Sequence, residues 1–204
     1  MVIAITGGIC CGKTTVLNVL KELNYEVLNV DDISHQVLEQ DEVKEEIKQK
    51  ISTTVFCYNK IDRKKLGAIV FSDKKKLKIL NEIMHEKIIT QMLKEIKKVE
   101  KNKLVFFEVP LLYELNLEKY FAAVILIYTN RQTQIERLMK RDHKNKEQAE
   151  AILSKQIDIE EKKKRSKYII ENMDISKIKG QIKDILERIK YENNWGYISK
   201  ICCS

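Results

Sequence analysis

The sequence predicts an α/β fold in which a parallel sheet carries helices on both faces. Residues 2–6, "VIAIT", form a short apolar run that ends in glycines, as a buried parallel strand does. Residues 14–24 follow with helical periodicity, and their apolar face includes Val16 and Leu20. Further apolar runs alternate with helical patterns along the rest of the chain, which is typical of strands joined by crossover helices.

Length and composition fit one compact core with an insertion or a lid. The chain has 204 residues, of which 33% are charged and 44% hydrophobic. No apolar run approaches the roughly 18 residues that a membrane-spanning helix needs, so we expect a cytoplasmic protein without a membrane partner. The formal charge is +8, but the lysines are spread over every predicted helix, which disfavours a nucleic-acid groove.

The five cysteines predict reduced thiols in a reducing compartment. They are Cys10, Cys11, Cys57, Cys202 and Cys203, an odd number that includes two adjacent pairs. None of their spacings matches a zinc knuckle or a C-x-x-C redox site.

An almost wholly helical insertion is predicted for residues 32–100. It follows a second strand at 25–30, "YEVLNV". One polar helix is expected over 32–50, and a long amphipathic helix begins at Ser72, its predicted N-cap, and reaches about Glu100.

The second half of the chain carries the strongest strand patterns. These are "KLVFFEVP" at 103–110 and "AAVILIYT" at 122–129. The remaining segments are predicted as a helix at 130–142, a single helix at 145–165, a strand at 167–172 and a helix at 176–190.

The turn between the first strand and the first helix matches a phosphate-binding loop. Gly7, Gly12, Lys13 and Thr14 satisfy G-x-x-x-x-G-K-[ST] in the context that supports it. Backbone N–H groups and the positive helix end face the phosphates, Lys13 reaches the β and γ oxygens, and the Thr14 hydroxyl binds Mg²⁺. The site therefore takes ATP or a related triphosphate, and its other loop residues are Gly8, Cys10, Cys11 and Thr15.

A GTP-binding switch is the rival from another class. "NKID" at 59–62 matches the guanine-reading N-K-x-D pattern. It lies too close to Thr14 for the strands and helices that such proteins place between these motifs, and the interval has no D-x-x-G. A nucleic-acid-binding ATPase is also disfavoured, because no aromatic-rich basic face is present.

Several stretches together resemble the dephospho-coenzyme A kinase family. They are "ITGGICCGKTT", "NVDDISH", "IDRKKLGAIVF", "IMHEKI", "EVPLLYE", "QTQIERLMKRD", "SKQ" and "YIIEN", in the family's order over residues 2 to about 172. The resemblance implies a P-loop core, a helical substrate domain and an arginine-bearing lid. It also implies transfer of the γ-phosphoryl of ATP to the 3′-hydroxyl of dephospho-coenzyme A. Another small-molecule or nucleoside monophosphate kinase is the alternative, because spacing does not fix the acceptor.

The resemblance also implies a division of the chain. Residues 1–31, 101–130 and 166–204 would form the nucleotide-binding core, residues 32–100 the substrate domain, and residues 131–165 the lid. Dephospho-coenzyme A is the implied small-molecule partner, and a monomer is favoured.

Asp31 is the predicted catalytic carboxylate. Phosphoryl transfer to an alcohol needs a group that orients the hydroxyl and accepts its proton. Asp31 lies at the carboxyl end of the second predicted strand and matches the family's catalytic aspartate, whereas the family varies at Asp32. A helix N-cap is the other interpretation of Asp31.

Two arginines, Arg137 and Arg141, lie four residues apart on a predicted helix. Both guanidinium groups therefore point the same way and are placed to clamp the transferring group. Surface pairing with Glu136 or Asp142 is the alternative. Resemblance to the family's lid, with Gln134 before them, favours the catalytic role.

Five further site residues are implied by the resemblance. Asn172 matches an asparagine near the ATP base, with a turn-forming Asn as the alternative. Glu108 and Leu111 fall in a stretch that contributes to the substrate crevice, although packing is the more ordinary role of Leu111. Arg63 and His85 match substrate-domain positions where basic residues would meet phosphates. His85 is otherwise expected to be a partly buried, hydrogen-bonded histidine.

The sequence departs from the family at three places. Cys10 and Cys11 stand where glycine and serine are usual, and a Cβ at Cys10 is costly if the loop needs a positive φ there. We hypothesise that Lys13 and the helix N-terminus lower the thiol pKa, so that oxidants inactivate the empty enzyme and ATP protects it. Glu86 replaces a proline after the histidine, which puts a helix kink in doubt, and Lys167 stands where an acid is usual.

Overall fold

The computed structural model describes residues 1–58, 60–100 and 102–193. In chain order the strands are β1 (Val2–Gly7), β2 (Glu26–Asn29), β3 (Phe56–Cys57), β4 (Lys60–Ile61), β5 (Val105–Glu108), β6 (Ala123–Tyr128) and β7 (Tyr168–Glu171). The helices are α1 (Lys13–Glu22), α2 (Val30–Leu38), α3 (Asp41–Lys50), α4 (Arg63–Ser72), α5 (Lys74–Lys98), α6 (Arg131–Asp142), α7 (Lys146–Leu153), α8 (Ile159–Arg165) and α9 (Ile178–Glu192). Across these ranges no helix has both the length and the apolar character to cross a membrane.

The described residues form two compact units. The first joins Met1–Leu28 to the described residues from Val99 onward, and the second is Asn29–Lys98. The first contains the main sheet, whose strand order over the described residues is β2-β5-β1-β6-β7. β1 pairs in parallel with β5 and β6, and β6 pairs in parallel with β7. The predicted parallel sheet is therefore confirmed.

Burial of the central strands explains their continuous apolar runs. Every residue of β1 is buried, and Val2 is in register with Val105 while Ile3 is in register with Ala123. A strand covered on both faces has no position that favours a polar side chain. Because the paired strands are parallel, their carboxyl ends lie at one edge of the sheet, where ligands of such folds bind.

The first half of the second unit contains two helices where one was predicted over 32–50. α2 ends at Leu38, and Gln40 takes an extended conformation, with φ −67° and ψ 139°, before α3 begins. The N–H of Gln40 donates to the carbonyl of Val37, so the turn uses groups that the helix end leaves free. The apolar side chains of Val37 on α2 and Ile47 on α3 are both fully buried.

A short hairpin interrupts the helices of this unit, so the prediction of an almost wholly helical insertion needs correction. β3 and β4 pair antiparallel. Asp62 follows β4 and caps α4, because its carboxylate accepts the N–H groups of Lys64 and Lys65. The last residue of "NKID" is therefore a helix cap, while Asn59 lies outside the described residues.

The predicted N-cap at Ser72 is wrong by one residue. Asp73 accepts the N–H groups of Lys75 and Lys76 at 2.8 and 3.2 Å and so caps α5. Ser72 is instead the last residue of α4. α5 continues without a break past Glu86, because Glu86 keeps the backbone N–H that proline lacks.

The helix predicted over 145–165 is also divided in two. α7 ends at Leu153, and Asp158 caps α8 by accepting the N–H of Glu160 at 2.9 Å. The capping side chain at Asp158 offers the backbone an alternative to a continuous helix. The intervening turn carries Gln156, which contacts the phosphate loop described below.

Candidate active site

The loop between β1 and α1 is closely packed by two amide side chains. Gly12, the N-cap of α1, has a φ of 80°, and a Cβ there would lie 1.8 Å from the Asn172 Nδ2. A Cβ at Gly8 would lie 2.5 Å from the Gln134 Nε2. Gly12 is favoured both by its positive φ and by the lack of space, whereas a Cβ at Gly8 would have to displace the Gln134 amide.

Lys13 and the two threonines after it begin α1. The Lys13 ammonium donates to the carbonyls of Gly7 at 3.0 Å and Gly8 at 3.3 Å. Thr14 and Thr15 lie in the first turn, which contains no acidic residue. The positive end of the helix dipole therefore favours an anion at this point.

A cavity of about 710 Å³ lies against the loop, a size usual for small-molecule sites. Its walls come from the loop, the end of β5, α6 and the turn after β7. The lining residues are Cys10, Gly12, Lys13, Thr14, Thr15, Glu108, Arg137, Arg141, Asn172, Met173 and Ile175.

Three side chains bind consecutive carbonyl groups of the loop. Gln134, Arg137 and Asn172 donate in turn to the carbonyls of residues 9–11, over 2.6, 3.2 and 2.9 Å. Arg137 also donates to the backbone carbonyl of Asn172 at 3.2 Å, which links two of the three. The loop backbone is thus held from the side of α6 and β7, and the buried Asn172 amide is engaged with it.

Arg141 lies one turn after Arg137 and lines the same cavity. It forms a bidentate pair with Asp142, with Nε–Oδ1 at 2.7 Å and Nη2–Oδ2 at 3.0 Å. The pairing raises the pKa of Arg141 and lowers that of Asp142. The surface pairing expected as the alternative is therefore present, alongside a position on the cavity wall.

The two loop cysteines differ in burial. Cys10 is half-buried and lines the cavity, whereas Cys11 is fully buried. Within the described ranges Cys10, Cys11 and Cys57 are free thiols, as predicted. Cys202 and Cys203 lie outside these ranges.

The loop thiols do not have the electrostatics that we hypothesised. Burial raises the pKa of Cys10 and outweighs the opposing charges of Arg141, Arg137 and Lys13. Burial likewise raises the pKa of Cys11. The hypothesis of a lowered thiol pKa is wrong, because the desolvation of a thiolate exceeds the attraction of nearby cations.

The strand after the insertion brings one predicted residue to the cavity. Glu108 ends β5 and lines the cavity. Leu111 is 41% exposed and lies outside the residues that line this cavity, whereas Leu112 and Tyr113 are buried. Packing, the ordinary role of this stretch, therefore holds for Leu112 and Tyr113.

The predicted residues of the second unit are all exposed. Asn29 caps α2, because its Oδ1 accepts the Asp31 N–H at 2.8 Å. The N-cap interpretation of Asp31 is therefore wrong, and its carboxylate lies in the first turn of the helix. Arg63 begins α4, and His85 is exposed on α5, so the partly buried histidine is wrong as well.

Three contributors to the site were not predicted from the sequence. Gln156 accepts the N–H of Ile9 at 3.2 Å. Met173 and Ile175 line the cavity with side chains that are 55% and 68% exposed. Apolar residues directly after a strand end were the available signal for these two. For Gln156 the signal was the "SKQ" stretch at 154–156, to which the sequence analysis attached no role because it was assigned to a helix.

The donor set near the loop fits a cation held jointly by protein and phosphate. Within the described residues, no group of three His, Cys, Asp or Glu side chains is placed to hold a metal alone. The exposed Thr14 residue lines the cavity at the start of α1. Its hydroxyl is suited to Mg²⁺ that arrives with a nucleotide, since such ions keep oxygen ligands from the phosphates.

The phosphate loop on a parallel sheet, with arginines on the cavity wall, defines a P-loop kinase. The chain belongs to the dephospho-CoA kinase family, whose model matches residues 1–177. It is 38% identical over 173 residues to the dephospho-CoA kinase of Fusobacterium nucleatum. The aligned region covers 84% of this chain and 89% of the relative. The solved dephospho-CoA kinase from Campylobacter jejuni is 34% identical, with a TM-score of 0.75 and coverage of 94% and 98% of the two chains. A shikimate kinase from Bacteroides thetaiotaomicron shares the fold alone, with a TM-score of 0.52 and 15% identity. The match covers 92% of this chain and 98% of that kinase.

Proposed function

We propose that the protein transfers the γ-phosphoryl group of ATP to the ribose 3′-hydroxyl of dephospho-CoA, giving CoA and ADP. This reaction is the last step of CoA synthesis. The proposal rests chiefly on the cavity at the phosphate loop, lined by Lys13, Thr14 and Arg137, in a chain of this family.

On the donor side, the loop N–H groups and Lys13 bind the β- and γ-phosphates. Thr14 would hold Mg²⁺. When bound, this ion would neutralise part of the negative charge of the phosphates. Arg137 and Arg141 contact the transferring group, and Asn172 lies beside the nucleotide base. Closure of the arginines excludes water, which would otherwise hydrolyse ATP.

On the acceptor side, Asp31 orients the 3′-hydroxyl and accepts its proton. Its exposed position directly after β2 supports this role, because the carboxylate is not used as a cap. Arg63 and His85 bind the phosphates on the pantetheine side of the substrate, and Glu108 and Leu111 contribute to the crevice.

The rest of the proposal concerns organisation. Residues 131–165 act as the lid, and residues 32–100 act as the substrate domain. The protein works in the cytoplasm as a monomer, with ATP and dephospho-CoA as its partners and neither nucleic acid nor membrane required.

The test is ADP release from Mg-ATP by the purified protein, with dephospho-CoA, with nucleoside monophosphates and without acceptor. Turnover with dephospho-CoA alone, giving a product phosphorylated on the 3′-oxygen, is expected. Turnover with a monophosphate would reject this acceptor while keeping the P-loop. GTP binding without any acceptor dependence would favour the switch.

Asp31→Asn tests the proposed proton acceptor. We expect kcat to fall by about 10²–10⁴-fold, because general base catalysis contributes on that scale, while ATP affinity stays near wild type. Asp32→Asn, at the neighbouring exposed position, is the matched control and should retain turnover. Near-normal kcat in Asp31→Asn would reject the assignment.

A further inference from the structure

We propose that Gln156 and Gln134 are positioning residues that fix the phosphate loop for ATP and so couple segment 131–165 to nucleotide binding. The inference deepens the proposed function and rests on it for the identity of the nucleotide. Both residues act through the backbone of Ile9 in the loop.

The backbone of Ile9 is bound by side chains at both of its polar groups. Its N–H donates to the Gln156 Oε1 at 3.2 Å, and its carbonyl accepts from the Gln134 Nε2 at 2.6 Å. These bonds fix the two peptide units that flank Ile9. Neither glutamine is among the residues that line the cavity, so each acts on ATP only through the loop.

The two glutamines are themselves held in place. Gln134 is 3% exposed, and its Nε2 packs against Gly8, 2.5 Å from where a Cβ of that residue would lie. The residue after Gln156 is Ile157, whose N–H donates to the Glu114 Oε1 at 3.1 Å. Glu114 also pairs with the fully buried Lys162 at 2.7 Å, so the turn that carries Gln156 is attached to a buried ion pair.

The loop needs such support because it contains a strained residue. Cys10 follows Ile9 directly and has a φ of 60°, a left-handed conformation that is unfavourable for a residue with a Cβ. A free loop would relieve this strain by rotating the peptide units around Cys10. The glutamines oppose that rotation, and so preserve the arrangement of N–H groups that binds phosphate.

The coupling follows from the origin of the two side chains. Gln134 lies on α6 and Gln156 in the turn between α7 and α8, both within 131–165. A movement of this segment therefore changes the two hydrogen bonds to the Ile9 backbone, and with them the support of the loop. Conversely, nucleotide binding at the loop favours one position of the segment, since coupling of binding free energies is reciprocal.

The experiment uses the full chain and ATP binding without any acceptor, so that an error in the acceptor does not affect it. Gln156→Met removes the hydrogen bond at a partly exposed position and should weaken ATP affinity by about tenfold, the upper range of one hydrogen bond. Gln134→Met should have a similar effect. The double variant should lose less than the product of the two, because both act through one loop conformation.

Hydrogen exchange of the Ile9 amide, compared with that of the β1 amides, gives a second readout, because a loss of overall stability would accelerate both. Exchange should accelerate in Gln156→Met and stay slow in Gln156→Glu, whose carboxylate still accepts the bond. Gln132→Met is the matched control on α6, because the exposed Gln132 side chain donates to Glu136 on the same helix rather than to the loop. The inference is overturned if Gln156→Met binds ATP normally, or if Gln132→Met weakens binding as much.

Discussion

Cys10 shows how one residue sets the conformational energy of the loop. Its φ of 60° is a conformation in which glycine has no steric cost, whereas other residues lose about 1–2 kcal/mol. Cys10→Gly should therefore raise the free energy of unfolding by up to about 1 kcal/mol, after the greater entropy of an unfolded glycine is subtracted. Urea denaturation of the nucleotide-free protein measures this difference.

Cys57 provides the matched control, because it is an exposed residue of β3 without a positive φ. Cys57→Gly should lower stability slightly, since glycine in a strand loses more conformational entropy. If Cys10→Gly is as destabilising as Cys57→Gly, then the left-handed conformation at Cys10 carries no cost.

The sequence predicted the position of the phosphate loop better than it predicted the side chains that support this loop. Gly12 and Lys13 belong to a fixed local pattern, so spacing was sufficient. The contact between Gln156 and Ile9 joins positions far apart in sequence, and only the tertiary fold brings them together. Cys10 was recognised as a problem, but the sign of its φ is a property of the folded loop.

Helix caps decide where the elements of the second unit begin. Asp73 accepts two N–H groups at the start of α5, whose first turn contains three lysines that the helix dipole disfavours. Asp73→Ala should therefore lower the free energy of unfolding by about 1 kcal/mol or somewhat more, as measured by urea denaturation. Ser72→Ala should lower the free energy of unfolding by less. A larger loss in Ser72→Ala than in Asp73→Ala would mean that Ser72 is the N-cap of α5.

An ion pair between α3 and α5 gives the second unit a predictable pH dependence. Hydrogen bonds from Lys50 and Lys87 lower the pKa of Glu46 from its usual 4.5 to about 2. A carboxylate whose pKa is lowered on folding stabilises the protein above the unfolded pKa, and this contribution disappears as pH falls from about 4.5 towards 2. The pair is partly exposed, so the contribution at pH 7 should be at most about 1 kcal/mol.

Glu46→Gln tests this contribution by urea denaturation at several pH values. The variant should be less stable than wild type at pH 7, and the difference should shrink below pH 4.5. Glu82→Gln is the control, because its pairing with Lys78 at 3.8 Å is more exposed. A difference that stays constant down to pH 2.5 would exclude Glu46 as its source.

The type of an element was predictable where one periodicity persisted, but its boundaries were not predictable where local hydrogen bonds end a helix. The apolar runs of β1 and β6 have no alternative to a buried strand. The patterns over 32–50 and 145–165 look continuous because helical residues stand on both sides of each break. At Gln40 the backbone N–H bonds to the Val37 carbonyl without a side-chain cap, and at Asp158 the side chain accepts the Glu160 N–H. A periodicity average detects neither contact.

For the molecule as a whole, the parallel sheet follows from the alternation of elements. Strand order does not, because β5 lies between β2 and β1 in the sheet although the whole helical insertion separates it from both strands in sequence. The helical insertion was predicted from its periodicity, whereas the roles of core, substrate domain and lid were implied only by the resemblance. Its first break falls after Leu28 in the structure, so Asp31 belongs to the helical unit.

The buried ion pair of Glu114 and Lys162 connects the segment after β5 to α8. Because it joins parts of the chain that are distant in sequence, its loss should affect the stability of the whole molecule. Lys162 is fully buried with Nζ 2.7 Å from Oε1 of Glu114, an ion pair whose angles lie outside those of a hydrogen bond. Glu114→Gln leaves a buried ammonium without its counter-charge and should lower the free energy of unfolding by about 3–5 kcal/mol. Lys162→Met combined with Glu114→Gln should recover much of that loss, because the uncompensated charge is gone. A urea double-mutant cycle measures this coupling, and strictly additive losses would mean that the pair contributes nothing beyond packing.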